Sequence, residues 1–136
     1  MSRLRSDDSG ANPIELAILF PLIVIALFAS IQVSLYYLAK SEALAAAQAG
    51  ATAQRGYGAP PGAATQQATA YIHASHGWLV NVQPTVVNPA PIPPAATHIT
   101  VTVSGDALSL VPGWRGWHVS ETAGGQLERI SQPGGP

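Results

Sequence analysis

Residues 16–39 read LAILFPLIVIALFASIQVSLYYLA, and the fold follows from how this stretch is read. It holds 24 residues without a charge, and Leu16 to Ala29 is wholly apolar. As a helix rising ~1.5 Å per residue it reaches roughly 36 Å, enough to cross a ~30 Å hydrocarbon layer with some tilt. Ser30, Gln32 and Ser34 soften the far end. Tyr36 and Tyr37 then stand where interfacial aromatics belong, and Lys40 closes the segment at the membrane interface. The alternative is the core helix of a soluble domain. Against it, the remaining chain has few large apolar residues with which to wrap such a helix on all sides. A cleaved secretory signal is a second alternative, but its apolar region is shorter, ~7–15 residues. The stretch ALFAS is only a loose cleavage match, and Glu15 and Pro21 fit such a signal poorly.

The whole chain has 136 residues, 47% hydrophobic and only 10% charged, with formal net charge −1. Soluble domains average ~25% charged residues, so charge is thin here, and no basic excess is present to hold nucleic acid. The absence of cysteine rules out a disulfide framework, Cys-ligated zinc and thiol catalysis. Orientation follows weakly from charge counts. Arg3 and Arg5 precede the helix, whereas Lys40 and Arg55 follow it. The short N-terminal stub is the natural cytoplasmic end, which puts the charge-poor remainder outside.

Just before the apolar run stands SGANPIEL, residues 9–16. Glu15 lies five residues after Gly10, and Gly10 follows a hydrophilic leader with two arginines and two aspartates. A carboxylate close to a bilayer is costly and is usually paired. In the first turn of a helix, however, its charge suits the dipole. Pro13 falls near the first helical position, where its missing N–H does no harm. Pro21 removes a backbone bond inside the run and is expected to kink or loosen the helix.

This arrangement resembles the processing site of type IV pilin-like proteins. The stretch GANPIELAILFPL, residues 10–22, is similar more narrowly to the TadE-like family, pilin-like proteins (pseudopilins) of the Tad/Flp tight-adherence pilus systems. The resemblance is best over residues 9 to about 50. It implies cleavage between Gly10 and Ala11 by a prepilin peptidase. Glu15 would then pair with the new α-amino group of Ala11, of its own or a neighbouring subunit. It also implies pilin-like subunits and the Tad assembly machinery as partners, with a role in pilus assembly and adhesion. A mature chain starting at Ala11, with Pro13 behind it, departs from major type IV pilins, which commonly start with an aromatic residue.

Beyond Lys40, the alanine-rich KSEALAAAQAGATAQR favours helix, so one long helix is expected from about Pro13 to Gln54. Small residues recur at Ala43, Ala47 and Ala51, and at Ala46, Gly50 and Ala53. They permit close helix packing, either on a partner subunit or on the chain's own domain. GYGAPPG (56–62) ends this helix. Residues 63–78 read as a second helix, with Ala64, Ala68, Tyr71, Ile72 and Ser75 facing inward. Residues 79–87 read as a strand in which Pro84 signals an edge or a bulge. NPAPIPPAA (88–96) is a proline-rich turn. Residues 97–111 form the clearest strand, burying Ile99, Val101 and Val103. PGWRGW (112–117) is a loop, and residues 118–130 form a third strand bulged at the glycine pair.

The expected fold is α+β: a long transmembrane helix continuing into an Ala-rich helix, a second short helix, then an antiparallel sheet of about three strands. The expected organisation is a cytoplasmic leader over 1–10 and the long helix over 11–55, with 16–39 in the membrane. A small extracytoplasmic unit over 56–130 and a disordered tail over 131–136 complete it.

Candidate chemistry is sparse. His73 and His76 are spaced to share a helix face, yet a metal site needs a third ligand. Exposed polar histidines are therefore expected, and no metal or cofactor. Ser104, Asp106 and a histidine make a triad only on paper, since nothing resembles a nucleophile elbow. Trp114 and Trp117 bracket a turn; they can cap the sheet, touch the membrane surface or meet a partner. The expected function is structural: a single-pass, TadE-like minor pilin of a bacterial cell membrane, associated with the pilus, with no nucleic-acid or small-molecule ligand. The alternatives are a signal-anchored extracytoplasmic binding module and a secreted enzyme.

Overall fold

The computed structural model describes residues 13–56, 58–87 and 98–126. The proline-rich turn (88–96) and the tail (131–136) expected above lie outside the described residues. Helix α1 runs Pro13–Arg55 and helix α2 Ala63–Ala74; strands β1 Leu79–Val87, β2 His98–Ala107 and β3 His118–Gln126 follow. The strands form one antiparallel sheet in the order β1-β2-β3. This is the expected α+β architecture. The chain divides into two compact units, one ending at Val33 and one beginning at Ser34.

In the unit from Ser34 onward, β2 is the central strand and alternates strictly. Ile99, Val101, Val103 and Ala107 are buried, while Thr100, Thr102 and Ser104 turn the other way. On that second face the Thr102 and Thr122 hydroxyls meet across β2 and β3 at 2.9 Å, a cross-strand pair of the kind that supports sheets. The buried face carries a core in which Val101, Val103, Ala107, Leu79 and Val119 join Ala39, Ala43, Ala46, Ala47 and Ala51 of α1 and Ala64 and Ala68 of α2.

Alanine on the helix side lets the backbones come close. At Gly50, an added Cβ would lie 2.7 Å from the Ala64 carbonyl oxygen and 3.2 Å from Val101 Cγ1. The small-residue spacing in α1 therefore serves packing within the chain's own unit, the second of the two options left open by sequence. Ala53 alone of those six is only half-buried.

Four local expectations change. The clearest strand ends at Ala107 and not at residue 111, so the loop after it begins at Leu108. The second helix stops at Ala74, because Ser75 is extended and Gly77 has φ +76°. In α2, Ala64 and Ala68 are buried and Ile72 and Ser75 half-buried, but Tyr71 faces out. The bulge is not at Gly124 and Gly125: β2 and β3 pair without a register shift from His98↔Gln126 to Asp106↔His118. The register shift lies in β1, between Val80 and Gln83, beside Pro84 on an edge strand, as Pro84 signalled. There Asn81 adopts φ 54°, a left-handed conformation that asparagine tolerates better than most residues. Pro21 is accommodated within α1, whose assigned helix continues through it.

Candidate functional site

Pro13 is the first residue of α1, and Glu15 lies in its first turn, exposed. Both features follow from helix ends: proline loses no bond there, and the carboxylate meets the positive end of the dipole. Gly10 and Ala11, the expected processing site, lie outside the described residues.

From Ile14 to Ile31 the helix presents its apolar side chains bare. Ile18 is 69% exposed, and Ile14 and Phe20 are both 67% exposed. None of the residues in its most apolar stretch is buried, and the helix is long and apolar enough to cross a membrane. A core helix of a soluble domain would be covered, so the burial pattern speaks against that alternative. The Ser30 hydroxyl donates to the Ala26 carbonyl at 2.8 Å, so the helix itself satisfies it. Gln32 is buried.

The expected interface residues take different directions. Tyr37 is 64% exposed. Tyr36 packs against the core, and its ring meets that of Trp117 edge-on at 5.8 Å. Lys40 pairs with Glu121 of β3 at 3.4 Å. The tryptophan pair expected at a turn is real: the Trp114 and Trp117 rings meet edge-on, centroids 5.3 Å apart.

Two polar residues of α1 matter more to the unit than sequence suggested. Glu42 is buried, and its Oε2 accepts from the Leu79 backbone N–H at 3.1 Å. Its Oε1 accepts from the Ser75 hydroxyl. The carboxylate thus ties α1 to the end of α2 and the start of β1. Gln54, also buried, accepts from the Ala64 N–H at 3.2 Å. Gly62 at the α2 N-cap carries no side chain to do this; Gln54 supplies the cap from another helix. The available signal was periodicity. Leu35, Ala39, Glu42, Ala43, Ala46, Ala47, Gly50, Ala51 and Gln54 share one helical face, and all are buried.

The catalytic constellation drawn from sequence is not assembled. Asp106 Oδ1 and His118 Nδ1 lie 3.2 Å apart, and Asn81 Nδ2 donates to Asp106 Oδ2 at 3.1 Å. The Asn81 bond first, then the His118 bond, holds the Asp106 carboxyl below its usual value. The Ser104 hydroxyl donates elsewhere, to the Gln83 carbonyl at 3.3 Å. His73, His76, His98 and His118 are all exposed. Among the described residues, no group of three His, Asp or Glu side chains is placed to hold a metal ion.

No curated protein and no solved structure matches the chain. The bare apolar stretch and the alanine face fall together within one recognised segment: residues 14–52 match the family described as TadE-like protein, the family that the opening motif resembles.

Proposed function

We propose that this protein is a single-pass, membrane-anchored minor pilin or pseudopilin that acts structurally in Tad pilus assembly and adhesion. The observation that carries the reading is the bare apolar stretch of α1, opened by Glu15, inside the TadE-like segment. A helix this apolar and this exposed needs lipid or other helices around it. The N-terminus lies in the cytoplasm, and the unit from Ser34 onward lies outside. The membrane part of α1 ends near residue 34, earlier than Ala39, since Leu35 and Ala39 are buried in the folded unit. A prepilin peptidase cuts between Gly10 and Ala11, and Glu15 pairs with the freed amine of Ala11 to recruit the subunit.

The intact mass and N-terminus of protein purified from native membranes test this. A chain starting at Ala11 is expected. A chain starting at Met1 removes the processing step and leaves a signal-anchored module; a start beyond residue 29 removes the anchor as well. Glu15→Ala should leave membrane insertion intact but reduce piliation, and normal piliation in that variant would refute the recruitment role.

A further inference from the structure

The loop between β2 and β3, residues 108–117, contradicts the usual behaviour of exposed loops. Hydrogen bonds hold its shape, yet it turns large apolar side chains outward. Trp114 N–H donates to the Val111 carbonyl at 3.2 Å across Pro112 and Gly113, whose φ is +81°. Proline followed by a left-handed glycine is the residue signature of a type II turn. The Val111 N–H donates to the Ser109 hydroxyl at 3.1 Å. At the far end Gly116 has φ +84°, and an added Cβ would lie 2.0 Å from the Ala107 carbonyl oxygen. This fixed frame leaves Leu110 48%, Val111 46%, Trp114 39% and Trp117 41% exposed. A cluster of this kind is an interaction site more often than an accident.

Its position in the unit indicates what it meets. Trp117 stacks edge-on against Tyr36, and Tyr36 lies three residues beyond Val33, where the bare apolar part of α1 gives way to the folded unit. Three residues of helix are about 4.5 Å. The loop is therefore at the end of the unit where α1 enters it, level with the aromatic pair Tyr36 and Tyr37. Tryptophan favours the headgroup level, with its apolar ring inward and its N–H among polar groups. Exposed Arg115 adds a positive charge suited to lipid phosphate.

We propose that this loop is a second membrane-contact site: Leu110, Val111 and Trp114 enter the headgroup–acyl boundary of the bilayer that α1 spans, and Arg115 meets phosphate. The inference rests on the membrane-anchor reading above. Contact of the loop with the bilayer gives the folded unit a second point of attachment.

The test uses the full chain in vesicles of phosphatidylcholine and phosphatidylglycerol whose acyl chains carry bromine either near the headgroup or near the bilayer centre. Bromine quenches tryptophan emission at contact range. Phe28→Trp, inside the apolar stretch, reports whether the helix is in the bilayer at all. The expected result is central quenching of the Phe28→Trp residue, together with shallow quenching of the unmodified chain that is lost in Trp114→Phe and retained in Trp78→Phe. Central quenching of Phe28→Trp without shallow quenching of the unmodified chain overturns the loop contact alone and leaves the patch to a protein partner. An unquenched Phe28→Trp residue overturns the anchor reading and this inference with it.

Discussion

The two parts of helix α1 obey opposite rules. Before Val33 the large residues Leu, Ile and Phe are exposed; after Ser34 the buried positions of the helix are mostly Ala, with Gly50, Glu42 and Gln54 among them. Leu44 sits outside while Ala43, Ala46 and Ala47 sit inside. The lesson is that hydrophobicity along this helix reports the intended surroundings, not burial in the protein. Bulk is spent where the neighbours are fluid and can adapt. Where the neighbour is a sheet, small residues set the distance, because a close-packed interface tolerates little added volume.

The strongest way to break this comparison is to add the same bulk to each part. Gly50→Leu drives side-chain atoms into the Ala64 carbonyl and Val101, and should cost ~2–3 kcal/mol, enough to unfold much of a small unit. Ala26→Leu, in the bare part, should change stability by less than ~0.5 kcal/mol. Thermal melting of the full chain in detergent, followed by near-ultraviolet circular dichroism, reads both.

The two glutamates sharpen the same contrast. Glu42→Ala strips the partner from the Leu79 N–H and should cost ~1–3 kcal/mol. Glu15→Ala should leave the same melt within ~0.5 kcal/mol, because Glu15 is exposed. Equal effects of the two would dissolve the distinction.

A smaller change is expected from Gln54→Ala. Losing the cap on Ala64 should cost ~1 kcal/mol, and hydrogen exchange should accelerate first in the N-terminal turn of α2. The smallest effect belongs to acid. The Asp106 carboxyl titrates below its ordinary value of 3.8, so its contribution is fully present above that pH and fades as pH falls through the lowered value. Asp106→Asn should flatten this part of the acid limb of the stability profile, and an unchanged limb would show that the pair with His118 and Asn81 carries no linkage.

Much of this was open to reading in the chain itself. The apolar run, the Gly-Pro punctuation after Arg55 and the alternation of Ile99, Val101 and Val103 each follow from short-range periodicity. The roles of Glu42 and Gln54 did not. The small-residue spacing marks the inward face of the alanine helix, but Glu42 and Gln54 look like surface residues beside it. Their roles depend on where α2 and β1 arrive, which no local pattern encodes. Pro84 marked the edge strand that carries the bulge, but the second bulge expected at the glycine pair is absent, for a related reason. A glycine pair is a plausible bulge, but strand register is a property of two strands, and the register with β2 is broken on the β1 side. The apolar run was legible because it is local, and the directions taken by Tyr36 and Lys40 were obscure because they depend on contacts.

The borrowed cap on α2 has a mechanical consequence. Because the acceptor for Ala64 comes from the last turn of α1, tension transmitted along α1 bears directly on the start of α2. A pull that unwinds the final turn of α1 withdraws Gln54 and frays α2 from the same end. The joint behaves as a latch in which the end of one helix holds the start of the next, so the two helix ends loosen together.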